Sequence, residues 1–193
     1  MKIAAICLMA LALLPGASIA SPINIVQNAG FELGRDHWST FHFSIGTNER
    51  WARTGTALAR LTFCDTANCL DKLDEGAFIS QVLSTTPGED YDLSFWVRSY
   101  TGESGFSVFW DGALLFKSGT PNGPMREYVF SGLEASSGRT LLQIHGYNTL
   151  DEHVSFDDFR VAASEGVAVH EPSVWSLLIA GMGVLAAARA RKP

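Results

Sequence analysis

Three carboxylates stand where they could hold a metal ion. Glu32 follows a glycine turn in "NAGFELG", near the start of the chain's central body. Asp157 and Asp158 are adjacent in "SFDDF", near its end. Hard cations such as Ca2+ take oxygen ligands, from carboxylates and from backbone carbonyls. Acids so far apart in sequence can share one ion only if the segments that carry them lie side by side. The simpler alternative leaves Asp157 and Asp158 solvated, or paired with Arg160. A second acidic run, "CDTANCLDKLDEG", has a weaker claim on a cation and reads as a solvated face.

A search for catalytic groupings returns little. The five histidines (His37, His42, His145, His153 and His170) are scattered and lack zinc-ligand spacing. The stretch "TGESGF" lacks the full G-x-S-x-G spacing of a nucleophile elbow and falls at a hairpin turn rather than between a strand and a helix. There is no P-loop and no dinucleotide fingerprint. A distant pair of acids could hydrolyse glycosides, but acids are common throughout this body, so such a pair has little weight. The expectation is a protein that is not an enzyme. Nor is it a nucleic-acid binder. Between Ser21 and Glu165 there are ten Lys and Arg against nineteen Asp and Glu, a net charge of −9, with no basic stripe. Phosphate recognition needs clustered positive charge.

Short strands must position these acids. In "YDLSFWVRSY", Tyr91, Leu93, Phe95 and Val97 share one face; Asp92, Ser94, Trp96, Arg98 and Tyr100 share the other. "FSVFWDG" puts Phe106, Val108 and Trp110 on one side and ends in Asp111-Gly112, a hairpin signal, with "ALLFK" returning. "LLQIHGY" sets Leu142 and Ile144 against Gln143, His145 and Tyr147. "INIVQ", "FHFSI", "ALARLTF", "FISQVLS", "MREYVFS" and "VSFDDFRVA" complete the candidate strands. Gly, Pro, Asn and Ser clusters punctuate them, and no long stretch of the body has helical periodicity. Many short strands with few helices predict an all-β sandwich or barrel.

Both ends look like trafficking segments. Residues 1–20 have Lys2, an apolar run from Ile3 to Leu14, and small residues before Ala20, the pattern of a signal peptide cleaved after Ala20. Cys7 would leave with it. Cys64 and Cys69 remain, an even pair close in sequence in an exported chain, and are expected to form one local disulfide. After residues 164–171, a linker, the tail 172–193 has fifteen uncharged residues from Val174 to Ala188, then Arg189, Arg191 and Lys192. At about 1.5 Å per residue the apolar run is shorter than the roughly 20 residues a bilayer core needs. Its basic end should stay cytoplasmic, holding the chain in the inner membrane with the body outside.

Four blocks carry a resemblance. "NIVQNAGFELGRDHWST", "RTGTALARLTF", "ISQVLSTTPGEDYDLSFWV" and "SFDDFRVAA" occur in the order found in galactose-binding-like domains of the carbohydrate-binding-module type, covering about Asn24 to Ala163. The resemblance implies a jelly-roll β-sandwich over residues 21–163. It also implies a structural calcium near the Phe-Glu and Asp-Asp blocks, at Glu32 and one of Asp157 or Asp158, with the choice of Asp left open. The tail resembles a PEP-CTERM sorting signal through Glu171, Pro172, Arg189 and Arg191, with His170 where that signal has its first proline. That implies sorting by an exosortase, a transient stay in the inner membrane, and release to the cell surface or beyond, linked to exopolysaccharide.

Modules of this type bind sugars by stacking aromatic rings on them beside a few polar groups. Trp96, Arg98 and Tyr100 from one strand, and Gln143, His145 and Tyr147 from another, could form such a patch if the two strands are neighbours. Trp38 reads as a core plug beside the first turn; Trp51 and Trp110 could be core or surface. The expected function is carbohydrate binding by an exported surface or matrix protein. The alternative is a structural surface protein with no small ligand.

Overall fold

Alternating apolar residues between turn signals become ten β-strands. They are β1 (Ser39–Phe41), β2 (Phe43–Thr47), β3 (Ala57–Leu61), β4 (Ala77–Ser84), β5 (Asp90–Ser99), β6 (Ser104–Trp110), β7 (Ala113–Gly119), β8 (Arg126–Glu134), β9 (Arg139–Asn148) and β10 (Val154–Ala163). The structure, a computed structural model, describes residues 21–48, 50–61, 77–99, 104–119, 123–148 and 154–165. Two five-stranded sheets form the sandwich, in the orders β1-β4-β9-β6-β7 and β2-β3-β10-β5-β8. Every recorded strand pair is antiparallel. The expected all-β sandwich is what the chain forms.

Two expected strands take other forms. "FHFSI" is split. His42 has a left-handed backbone (φ 53°), and the chain passes there from the first sheet to the second. Phe41 pairs with Phe78 of β4, whereas Phe43 pairs with Leu61 of β3 and enters the core. "INIVQ" forms no strand. It lies against β10 through one backbone bond, Ile25 N–H to the Val161 carbonyl (2.8 Å), and through the Asn24 amide, which donates to the Phe159 carbonyl (2.9 Å) and accepts from the Val161 N–H (2.9 Å). Gln81 holds the next turn of chain, accepting from the Gln27 N–H at 2.8 Å and donating to the Gln27 carbonyl at 2.9 Å.

The core is aromatic. Phe95 meets Phe106, Phe156 and Phe159 at ring separations of 5.8, 6.1 and 5.1 Å. Trp38 is the expected plug, 5.1 Å from both Phe31 and Phe159, with its indole N–H donated to the Asn28 carbonyl. Trp110 is also core and donates to the Glu134 carbonyl. Burying each such side chain stabilises the fold by about 1.5–3 kcal/mol as an upper figure.

Phe156 and Phe159 both point inward although they are three residues apart, which strict alternation forbids. A β-bulge resolves this. The pairing of β10 with β5 shifts between Asp157 and Arg160, and Asp158 takes a left-handed backbone (φ 50°). The freed Phe159 N–H bonds the Ala29 carbonyl at 3.1 Å, tying the N-terminal segment to the bulge.

Candidate functional site

The three carboxylates converge on one loop. Glu32 accepts from the Thr56 and Ala57 N–H groups, both at 2.8 Å, and from the Thr56 hydroxyl at 3.1 Å. Asp157 accepts from the Arg53 N–H at 2.7 Å and the Thr54 N–H at 3.4 Å, and its other oxygen takes the Asp158 N–H at 2.8 Å. Asp158 accepts from the Thr54 hydroxyl at 2.7 Å. Residues 53–57, which lead into β3, are therefore clasped from both ends of the chain. The backbone hydrogen bonds hold the Glu32 carboxyl below its usual range. Burial, helped by the neighbouring Asp158 charge, pushes Asp157 up to about 6 against the pull of its N–H donors.

This arrangement suits a cation in part. Among the described residues Asp157 and Asp158 make no ion pair, and Arg160, one alternative partner, donates instead to the Pro22 carbonyl at 3.1 Å. Neither of these adjacent carboxylates is neutralised by an ion pair with a described residue. A Cβ added to Gly30 would sit 3.4 Å from an Asp158 oxygen and 3.6 Å from an Asp157 oxygen, so glycine leaves both carboxylates open on that side. Against this, five of the six oxygens of Glu32, Asp157 and Asp158 already accept a protein hydrogen, and no group of three or more acidic, His or Cys side chains among the described residues has metal-site geometry. Glu32 and Asp157 have both oxygens engaged, whereas Asp158 has one.

The six proposed ligand-contact residues do not form one patch. Trp96 and Arg98 lie on β5 in the second sheet, whereas Gln143, His145 and Tyr147 lie on β9 in the first. Strand order separates them because β5 pairs with β10 and β8, and β9 pairs with β4 and β6. Each set faces away from the core, so the two point out of opposite sides of the sandwich. Tyr100, Cys64, Cys69, Glu171, Pro172, Arg189 and Arg191 lie outside the described residues, as do residues 1–20 and the tail.

On the outer face of the first sheet, register builds two rows. Phe41, Phe78, His145, Ser107 and Lys117 cross β1-β4-β9-β6-β7; Ser39, Ser80, Gln143, Phe109 and Leu114 run alongside. His145 is buried rather than presented, its ring 5.6 Å from Phe78 and 5.1 Å from Phe109. The rim is open. Phe41, Val82 and Leu114 are 44%, 50% and 53% exposed, and Phe41 stacks on Phe78 at 6.1 Å. The Tyr147 ring lies over Gly105, at a position no Cβ could share.

On the outer face of the second sheet, arginines lie over tryptophans. Arg53 lies over the Trp96 ring at 4.4 Å, and Arg60 over Trp51 at 5.0 Å. Trp51 is half-buried at the surface, outside the core. The alternation of "ALARL" does place Arg60 opposite Ala59 and Leu61. Nothing local announces which tryptophan it would meet.

The two antiparallel five-stranded sheets packed face to face define a jelly-roll β-sandwich. No protein-family model matches the sequence, and no curated protein does either. Solved structures do match in fold. The family 61 carbohydrate-binding module TmCBM61, solved with β-1,4-galactotriose, superposes with a TM-score of 0.56 at 18% identity, covering 73% of this chain and 99% of the module. The xylan-binding CBM22-1 domain of Paenibacillus barcinonensis Xyn10C gives 0.54 at 13% identity, covering 77% and 99%. The C-terminal family 22 module of Clostridium thermocellum Xyn10B gives 0.52 at 12% identity, covering 72% and 92%.

Proposed function

We propose that the sandwich binds polysaccharide on the outer face of the first sheet. The carrying observation is the stacked Phe41–Phe78 pair at an open edge, beside the row Ser39, Ser80 and Gln143. Flat apolar rings suit the C–H faces of sugars, and the exposed Ser39 hydroxyl suits their hydroxyl groups, while Ser80 and Gln143 are buried behind it. The fold likeness to modules that bind galactotriose and xylan supports the ligand class. Affinity electrophoresis of the full chain in gels containing galactan, xylan or other neutral glycans tests it. Retardation by at least one is expected, weakened roughly tenfold by Phe41→Ala, the loss of about 1.4 kcal/mol of stacking and burial. No retardation by any glycan, with the fold intact, favours the purely structural alternative.

A hard divalent cation, such as Ca2+, belongs to the same proposal. Asp158, with backbone carbonyls around the bulge, would be its chief support, and Asp157 the second anion. Such an ion would supply charge neutralisation and rigidity at the clasp of residues 53–57.

Export completes the reading. The N-terminal residues direct the chain out of the cytoplasm, and the tail hands it to an exosortase in the inner membrane. The body would then work at the cell surface or beyond it, where exported polysaccharide is found.

A further inference from the structure

The second sheet's outer face gathers arginines. Arg60, Ser155 and Arg98 stand in one row across β3, β10 and β5, with Trp96 on the same side of β5 two residues from Arg98. Strands are about 4.8 Å apart, so the two arginines are roughly 10 Å apart across the small Ser155. Arg53 reaches over Trp96 from the clasped loop, and Arg160 is on the exposed side of β10. Four of the body's ten basic residues thus gather on or above one face of a body whose net charge is −9.

Two of these cations, Arg53 and Arg60, meet no anion among the described residues. Among the described residues, the guanidinium groups of Arg53 and Arg60 make no ion pair or hydrogen bond, and Arg60 Nε is buried without an acceptor. Burial pulls the Arg60 pKa below its usual value, the mark of a charge partly stripped of water. An unsatisfied buried donor is costly, and an incoming acceptor would relieve it. Asp157 lies on the same side of β10 but is buried and engaged by the Arg53 and Thr54 N–H groups. Glu127 stands across β5 from Asp157, on the far side of Trp96, and bounds the basic area there.

The tryptophans hold the arginines ready. A guanidinium over an indole face keeps its in-plane N–H edges free, and those edges match a carboxylate two bonds at a time. Having the group already positioned lowers the entropy lost on binding. Gly46 is part of this design: a Cβ there would come within 2.6 Å of the Arg60 stem, which crosses β2 at that point.

We infer that the Arg53–Trp96 and Arg60–Trp51 pairs form a second binding face that recognises the carboxylates of an acidic, uronate-bearing polysaccharide. The inference rests on the polysaccharide reading for the ligand's scaffold, but uses the opposite side of the sandwich. A dense polyphosphate is a poorer ligand, because the acidic body repels it.

Affinity electrophoresis of the full chain in polygalacturonate tests the inference, with carboxyl-reduced, neutral polymer and double-stranded DNA as comparisons. With the first face disabled by Phe41→Ala, retardation by polygalacturonate alone of these three is expected. It should weaken roughly tenfold in Arg53→Gln and in Arg60→Gln, as for the loss of one charge-assisted contact, and recover only in part in Arg53→Lys, which keeps the charge but not the two-bond edge. In the wild type it should fade between about 0.1 M and about 1 M salt, as the Debye length shrinks from about 10 Å to about 3 Å. That measurement needs no variant to fold. No retardation by polygalacturonate, equal retardation by the reduced polymer, or tighter binding to DNA overturns the inference. Phe41→Ala separates the two faces: it should leave polygalacturonate binding unchanged. If neutral glycans fail to bind while polygalacturonate does, the first face is wrong and this one stands.

Discussion

Asp157 shows how much one side chain's role depends on its surroundings. From sequence it is half of a solvent-ready Asp-Asp pair. In the fold it is buried, accepts three backbone N–H groups, and is pushed from its ordinary 3.8 up to about 6. Between those values the folded state holds more protons than the unfolded state. This group therefore adds stability as the pH falls through about 6, and that gain is lost as the pH rises again. Glu32 acts in the opposite sense. Its lowered pKa gives stability that is present above the unfolded value and lost as pH falls through the folded one. In chelator-containing buffer, the melting temperature of wild type minus that of Asp157→Asn should rise from pH 7 to pH 5. A gap that stays flat would remove burial as the dominant influence on Asp157. His145 teaches a related lesson. Its polar type suggested a ligand contact, but Phe78 and Phe109 on flanking strands enclose it. Those neighbours are invisible in the alternation of β9 alone.

Among elements, the clasped loop and the bulge act together. The bulge in β10 turns Asp157 and Asp158 toward residues 53–57, and the same distortion lets Phe159 reach the core. If a hard cation sits there, calcium should raise the melting temperature and a chelator should lower it. The gain is about 2.7 kcal/mol at a free concentration near 100 times Kd. Asp158→Asn should abolish the response. Identical melts with calcium and with chelator would leave the hydrogen bonds as the loop's only clasp. Most strands were legible because inward and outward positions repeat every two residues. The breaks in that rule were not. His42 divides "FHFSI" between sheets, and Asp158 is the extra residue of "SFDDF", both through left-handed backbone that residue type permits but does not announce.

For the whole molecule, the sandwich and the terminal segments pose separate questions. If residues 1–20 are a signal peptide and the tail a sorting label, mass spectrometry of the exported protein should find Ser21 as its first residue and residues beyond Pro172 removed. An intact N-terminus on exported material would contradict the first reading, and an intact tail the second. The chain by itself determined the all-β character, the inward-facing apolar positions and the acidic balance. Each follows from residue type, composition or a period of two, all of which are local or additive. Which strands become neighbours is neither. Hydrogen-bonded pairing joins segments far apart in sequence, and only the assembled sheets decided that β5 and β9 belong to different layers. Trp96 and Arg98 therefore look out from one side, and Gln143 and His145 lie on the other. The single patch expected from their alternation becomes two faces of different chemistry.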